Sequence, residues 1–222
     1  QAPEAKLNGK FAGTLGDIGV YSLNYHKHIH TGEGGVIVTD NDELAEKMQL
    51  IRNHAESVVE DKEVTDLTNM VGQNYRLTEI QAAIGREQLK KLGSLVEERV
   101  GLCDYLAEKL GAMPGISIPP VREGATHAYY VQPMKFDEKE VGVDRNTFIL
   151  AVKAELPVSG LREDEGPLLS YGYTKPLYLF PMFQKRIAMG SKGYPWTLME
   201  DQNSVSYEKG ICPVEERMYE KE

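Results

Sequence analysis

The sequence predicts an α/β protein built in two parts, and three observations carry that prediction. Short apolar, β-prone stretches at residues 18–23 and 34–39 flank a histidine- and glycine-rich interval. Two later stretches, starting near residues 42 and 78, repeat apolar residues at helical spacing. Beyond Gly111 and Pro114 the pattern changes to shorter alternating elements, which reads as a smaller α+β domain. The boundary is placed near Ser94, giving residues 1–94 and residues 95–222.

Residues 1–10 read as a loop or short helical end. Gly13, Gly16 and Gly19 permit a tight turn, and residues 18–23 form a strand that ends by presenting Ser22 and then Lys27. Residues 34–39 form a short strand of the buried type. Leu44, Met48, Leu50 and Ile51 predict a helix from Asp42 to about Arg52, capped by Asp40 or Asn41. Residues 55–70 are acid-rich and read as a surface loop, with substrate contact one of its uses. Thr78 caps a helix in which Ile80, Ala83, Ile84 and Leu92 form an apolar stripe, with Ala82, Ala83 and Gly85 small enough for close packing. A second helix runs from about Ser94 to Gly111 and buries Cys103 on its apolar face.

The second part opens with a strand at residues 129–134. A helix over residues 146–156 follows, capped by Asp144, and then a loop over residues 160–172. The run Thr174-Lys175-Pro176-Leu177-Tyr178-Leu179-Phe180-Pro181-Met182-Phe183 is either core packing or the lining of a sugar pocket, since aromatic rings serve both purposes. Residues 189–203 read as a surface loop, and Pro213 opens a last short helix.

Composition sets bounds. The net charge of −9 lacks the basic excess of a general nucleic-acid binder. No apolar run approaches the ~20 residues a membrane-crossing helix needs, and residues 1–10 carry no signal-peptide core. The two cysteines, Cys103 and Cys212, have neither metal nor redox spacing, so a cytoplasmic location with reduced thiols is expected.

The chemistry-bearing stretch is residues 22–35, S-L-N-Y-H-K-H-I-H-T-G-E-G-G. Lys27 stands among three histidines, five residues after Ser22 and shortly before a Gly-Glu-Gly-Gly turn. A lysine between buried strands is in the setting that makes an amine nucleophilic. The spacing alone favours a surface lysine near a glycine turn, since a single lysine is weak evidence for a site. His26, His28 and His30 alternate, so on a true strand they would share a face and, with Glu33, offer ligands to zinc. No metal site is expected, because clustered histidines are more often only polar neighbours.

Two ordered blocks carry a resemblance. Gly13-Thr14-Leu15-Gly16-Asp17-Ile18-Gly19, Ser22, Lys27 and Thr31-Gly32-Glu33-Gly34-Gly35 form the first. Gly72-Gln73-Asn74-Tyr75-Arg76-Leu77, Glu79, Gln81-Ala82-Ala83-Ile84-Gly85 and Gln88-Leu89 form the second. Together they resemble the DegT/DnrJ/EryC/StrS family of sugar aminotransferases, enzymes of fold type I that use pyridoxal 5'-phosphate (PLP). The likeness is clear to about Gly111 and thinner beyond it, where it rests on Cys212-Pro213-Val214-Glu215-Glu216.

The resemblance implies a partial large PLP-binding domain followed by a truncated small C-terminal domain. It implies that Lys27 holds PLP covalently and then acts as acid and base, and that Ser22 binds the cofactor phosphate. Asn74 matches the residue that reaches a partner subunit's cofactor phosphate, so a homodimer with a shared active site is implied. Gln1 falls where a family glutamine approaches the cofactor's ring hydroxyl. The substrates implied are glutamate or glutamine as donor and a nucleotide-linked keto sugar as acceptor, in cell-surface polysaccharide or antibiotic sugar biosynthesis. The chain is expected to be an internal piece of a longer protein, with the family's pyridine-nitrogen aspartate lying upstream of Gln1. Two alternatives follow: a catalytically inert fragment or interaction module, and a dehydratase of the related branch that carries histidine in place of the lysine.

Overall fold

In the computed structural model, residues 1–56, 64, 66–157, 169–171, 175–201 and 204–222 are described. Most of the expected loop at 160–172, residues 57–63 and 65 of the expected 55–70 loop, Thr174 and residues 202–203 lie outside the described residues. The chain divides into two compact units: residues 1–108 with 120–132, and residues 109–119 with 133–222.

The first unit begins with a hairpin where a loop or helical end was expected. Strands β1 (Lys6–Leu7) and β2 (Lys10–Phe11) pair antiparallel around Asn8-Gly9. Both turn residues have positive φ, 50° and 80°, the backbone that a two-residue type I′ turn requires. Asn-Gly is the sequence signal for this turn; strands of only two residues leave no alternation to accompany it. Residues 124–126 extend the hairpin: Asn8 N donates to Gly124 O at 2.7 Å, and Thr126 N to Lys6 O at 2.9 Å.

Strand β3 (Gly19–Ser22) pairs antiparallel with β4 (Gly35–Val38), in a register that sets Ser22 opposite Gly35 and Val20 opposite Ile37. The expected burial of β4 is not found. Opposed residues of an antiparallel pair share a face, and here Val20 is 67% and Ile37 52% exposed. A two-stranded ribbon with no third strand among the described residues has nothing to cover that face. The described sheets are three antiparallel pairs.

Helix α1 (Asp42–Arg52) is capped by Asn41, whose side chain accepts from Leu44 N; Leu50 beneath it is 1% exposed. Helix α2 (Glu79–Leu89) starts in a reciprocal capping box between Thr78 and Gln81. Its stripe does not form core: Ile80 is 75% exposed and Ile84 is also exposed. Helix α3 (Leu92–Leu110) begins slightly before the expected start and runs through Ser94. It supplies Leu92 and Val96 to a core that also contains Ala5, Leu23, Ile29 and Ala128. Cys103 is buried on α3, and desolvation pushes its thiol above the ordinary range.

The second unit pairs β5 (Ile116–Ser117) with β6 (Lys135–Phe136). No strand forms at residues 129–134. Tyr129 has φ +47°, a left-handed conformation foreign to a strand. A short helix α4 (Glu138–Val141) precedes α5 (Arg145–Glu155), and Asp137 and Asp144 cap them. The rings of Phe136 and Phe148 lie 4.8 Å apart. Helix α6 (Pro181–Lys185) follows a 3₁₀ turn at Leu177–Leu179, and α7 (Pro213–Glu220) closes the unit with Pro213 in its first turn. Buried Arg145 donates to the carbonyls of Met218 and Tyr219 at 2.9 and 2.8 Å, satisfying acceptors that the end of α7 leaves open.

The aromatic run serves packing and hydrogen bonding within this unit. Phe183, Trp196 and Tyr207 form a ring cluster with centroids 5.4–6.2 Å apart. Trp196 Nε1 donates to the Tyr207 hydroxyl at 3.0 Å. The Tyr178 hydroxyl donates to Glu216 Oε1, which also accepts from Gly210 N. These bonds hold the buried Glu216 carboxyl below its ordinary range, with the Tyr178 contribution the larger. An open cleft of about 920 Å³ in the same unit is lined by Ile116, Lys135, Asp137, Lys139 and Arg217 among others, with mixed charge.

Candidate active site

Residues 23–34 form the connection between β3 and β4, and hydrogen bonding fixes nearly every part of it. Leu23 N donates to Gly34 O at 2.9 Å and Thr31 N to Leu23 O at 3.0 Å, closing the base of the loop. Leu23 and Ile29 drop into the core on either side of Lys27. Between them Asn24 organises a turn. Its backbone oxygen accepts from Lys27 N at 2.9 Å, and its Oδ1 accepts from His26 N at 3.1 Å. Its Nδ2 donates to Glu33 Oε1 at 2.6 Å.

The Glu33-Gly34-Gly35 segment is the other half of this device. Glu33 O accepts from the buried Thr31 hydroxyl at 2.8 Å and from Gln81 Nε2 at 2.9 Å. Gln81 thus serves the α2 capping box and the loop at once. A Cβ on Gly34 would sit 2.9 Å from Thr31 Oγ1 and 3.1 Å from Leu77 Cδ1, at φ +152°. A Cβ on Gly85 would sit 3.2 Å from Thr31 Cγ2, so a residue without a side chain lets α2 approach the loop closely.

Lys27 is half-buried, and its Nζ lies 4.3 Å from the centroid of the Tyr130 ring. Among the described residues it makes no ion pair. His28 is turned to a different partner: its Nε2 lies 2.7 Å from Ala128 O. A carbonyl only accepts, so Nε2 carries the proton and Nδ1 is a bare acceptor, buried without a hydrogen-bond partner. Burial is the main reason the ring's pKa is held below the ordinary histidine value, so His28 is neutral near pH 7. His26 and His30 are exposed. Among the described residues no group of three or more histidine, cysteine or acidic side chains comes together as a metal site.

The expected site residues are placed as follows. Ser22 ends β3 with its side chain exposed, and its Oγ accepts from Asn24 N at 3.3 Å, so Ser22 and Lys27 share one loop. Asn74 lies in the same compact unit, in an extended segment bridged to Asn53. Its side chain is exposed and joins neither Ser22 nor Lys27. Gln1 is exposed at the start of the chain. Tyr130 and Ala128 were not legible as partners of this loop, because they lie about a hundred residues away and no spacing rule reaches that far. Asn24 carried a local signal, since asparagine favours turns through its own side-chain hydrogen bonds.

An amine outside any ion pair among the described residues, an exposed serine hydroxyl at a strand end and a backbone clamped by a Glu-Gly-Gly turn fit a cofactor carrying an aldehyde and a phosphate. The fold is that of the PLP-dependent transferases of fold type I. The chain belongs to the DegT/DnrJ/EryC1/StrS aminotransferase family, whose model matches residues 1–197. It is 30% identical to the UDP-4-amino-4,6-dideoxy-N-acetyl-beta-L-altrosamine transaminase of Campylobacter jejuni serotype O:23/36, covering 82% of this chain and 44% of that protein. It is 34% identical to the GDP-perosamine synthase of Caulobacter vibrioides over 62% of this chain and 36% of that protein. Among solved structures it resembles E. coli GDP-4-keto-6-deoxy-D-mannose-3-dehydratase with bound hydrated PLP. The TM-score is 0.59 and the identity 28%, over 69% of this chain and 42% of that chain. The chain spans half or less of the length of these relatives.

Proposed function

We propose that this chain carries the lysine-bearing part of a PLP-dependent sugar aminotransferase. The enzyme moves an amino group from glutamate or glutamine to a nucleotide-linked keto sugar, in cytoplasmic polysaccharide or antibiotic sugar biosynthesis. The observation that carries the reading is the Lys27 amine, held on a hydrogen-bonded turn between a serine-ended strand and a Glu-Gly-Gly strand, with no ion pair engaging it among the described residues. Family membership and the activities named for the transaminase and synthase relatives support it. No helix among the described residues is long and apolar enough to cross a membrane.

In this reading Lys27 bonds the cofactor through its Nζ, and Ser22 Oγ donates to the phosphate. Gln1 approaches the ring hydroxyl. Asn74 serves the partner subunit's phosphate in a homodimer. Residues 1–94 belong to the large domain and residues 95–222 to the small one. PLP, when bound, supplies the electron sink that makes the amino-bearing carbon acidic. Lys27 would hold the cofactor's aldehyde carbon through its Nζ and, when free, would accept and donate the proton at the amino-bearing carbon. Asn24, Thr31 and Glu33 keep the turn from moving while it does so.

The similarity to a dehydratase structure raises the second reading. In that branch a histidine replaces the lysine. Here His28 is already bonded to Ala128 O, and Lys27 stands six residues before Glu33 as in the aminotransferases. Mixing the protein with PLP, trapping with borohydride and mapping the peptides tests the assignment. A pyridoxyl group on Lys27, with amino transfer from glutamate or glutamine to a nucleotide-linked keto sugar, is expected. A folded protein with no label on Lys27 would favour the inert module instead.

A further inference from the structure

We propose that Tyr130 is a positioning residue for Lys27, holding the lysine amine in place from a segment that is remote in sequence. This rests on the reading of Lys27 as the cofactor lysine. The Nζ-to-centroid distance of 4.3 Å is within cation–π range, and the ring is the contact found for that amine among the described residues. A ring positions its neighbour only if it is itself fixed, and the 127–130 segment is fixed at several points. Ala128 is 2% exposed in the core. Its carbonyl accepts from His28 Nε2 at 2.7 Å. Arg99 Nη1 donates to Tyr129 O at 3.2 Å, and Tyr129 N donates to His127 Nδ1 at 2.8 Å. Tyr129 adopts φ +47° between these anchors, a conformation that needs such support in a bulky residue.

The consequence is a lysine constrained from two directions. Asn24 and Glu33 hold its backbone; Tyr130 holds its end. The ring face holds the amine against it and blocks approach from its own side. Removing the face therefore raises the reactivity of Lys27 toward an acylating reagent, by about threefold for a contact at a partly exposed site.

The test uses the whole chain without cofactor. Limited acetylation with acetic anhydride is followed by mass spectrometry of the Lys27 peptide, with the exposed Lys91 as internal reference. Tyr130→Met is expected to raise the Lys27-to-Lys91 ratio about threefold, whereas Tyr130→Phe, which keeps the ring face, stays at the wild-type ratio. An unchanged ratio in Tyr130→Met overturns the proposal, as does an equal rise in both variants, which would mark general loosening. If Tyr130→Met loses its far-UV circular dichroism, Tyr130→Leu takes its place under the same criteria. Borohydride trapping of the wild type with PLP runs alongside. A missing pyridoxyl group on Lys27 overturns the cofactor reading, while the acetylation ratio judges Tyr130 independently.

Discussion

Residues 23–34 and the ring cluster of Phe183, Trp196 and Tyr207 are both built from polar and aromatic side chains, yet different forces hold them. The Lys27 loop is a hydrogen-bonded device. Asn24, Thr31, Glu33 and Gln81 bond one another or the backbone, and only Leu23, Ile29 and Thr31 are buried. The ring cluster is a packing device. Its rings meet at 5.4–6.2 Å, Trp196 is 7% exposed, and the indole N–H is spent on the Tyr207 hydroxyl. The difference teaches where chemistry is available. In the first region the scaffold uses backbone and amide groups and leaves the amine outside any ion pair among the described residues; in the second the indole N–H is spent on the tyrosine hydroxyl. Aromatic richness alone therefore does not mark a sugar site in this chain.

Trp196→Ala makes the largest change, because it empties a buried ring site: a loss of about 3–5 kcal/mol is expected in urea unfolding. Should it lose no more than a loop variant, the distinction between packing and hydrogen bonding fails. Asn24→Ala removes the bond to Glu33 and the bond from His26 N. About 1 kcal/mol of stability goes with them, but the borohydride-trapped label on Lys27 falls on the order of tenfold to a hundredfold, the scale on which small misplacements act. A variant that loses stability and label in proportion would make the turn merely structural. Gln81→Glu is the smallest and sharpest. It keeps an acceptor for the Thr78 capping box and places a charge favourably at the start of α2. It loses the donor to Glu33 O, so net stability moves by about 0.5 kcal/mol or less while the Lys27 label still declines. An undiminished label would show that the bond from Gln81 does not steady the loop.

Helix starts were legible because their signals are local. Asn41, Thr78, Asp144 and Pro213 each open a helix where their chemistry placed it, since a cap needs only the next few residues. The Asn8-Gly9 hairpin was equally local and was missed for want of strand length. The strand expected at 129–134 failed for the opposite reason. Its β-prone composition was real, but contacts to α3 and to His28 hold Tyr129 in a left-handed turn. The stripe of α2 was legible as apolar, yet Ile80 and Ile84 lie exposed; periodicity says which residues share a face, not what lies against it.

By itself the sequence determined the family and the spacing of Lys27 against Ser22 and Glu33, because those features sit within one loop where spacing constrains geometry. It also determined where the helices after Asn41, Thr78 and Asp144 start, through caps whose hydrogen bonds span three or four residues. Only the tertiary structure decided what surrounds the amine. Tyr130 over Lys27, Ala128 O on His28 and Gln81 on Glu33 join elements distant in the chain. Such contacts are set by how a core closes around Leu23, Ile29 and Ala128, and burial of that kind is non-directional and leaves no periodic trace in the residues it brings together.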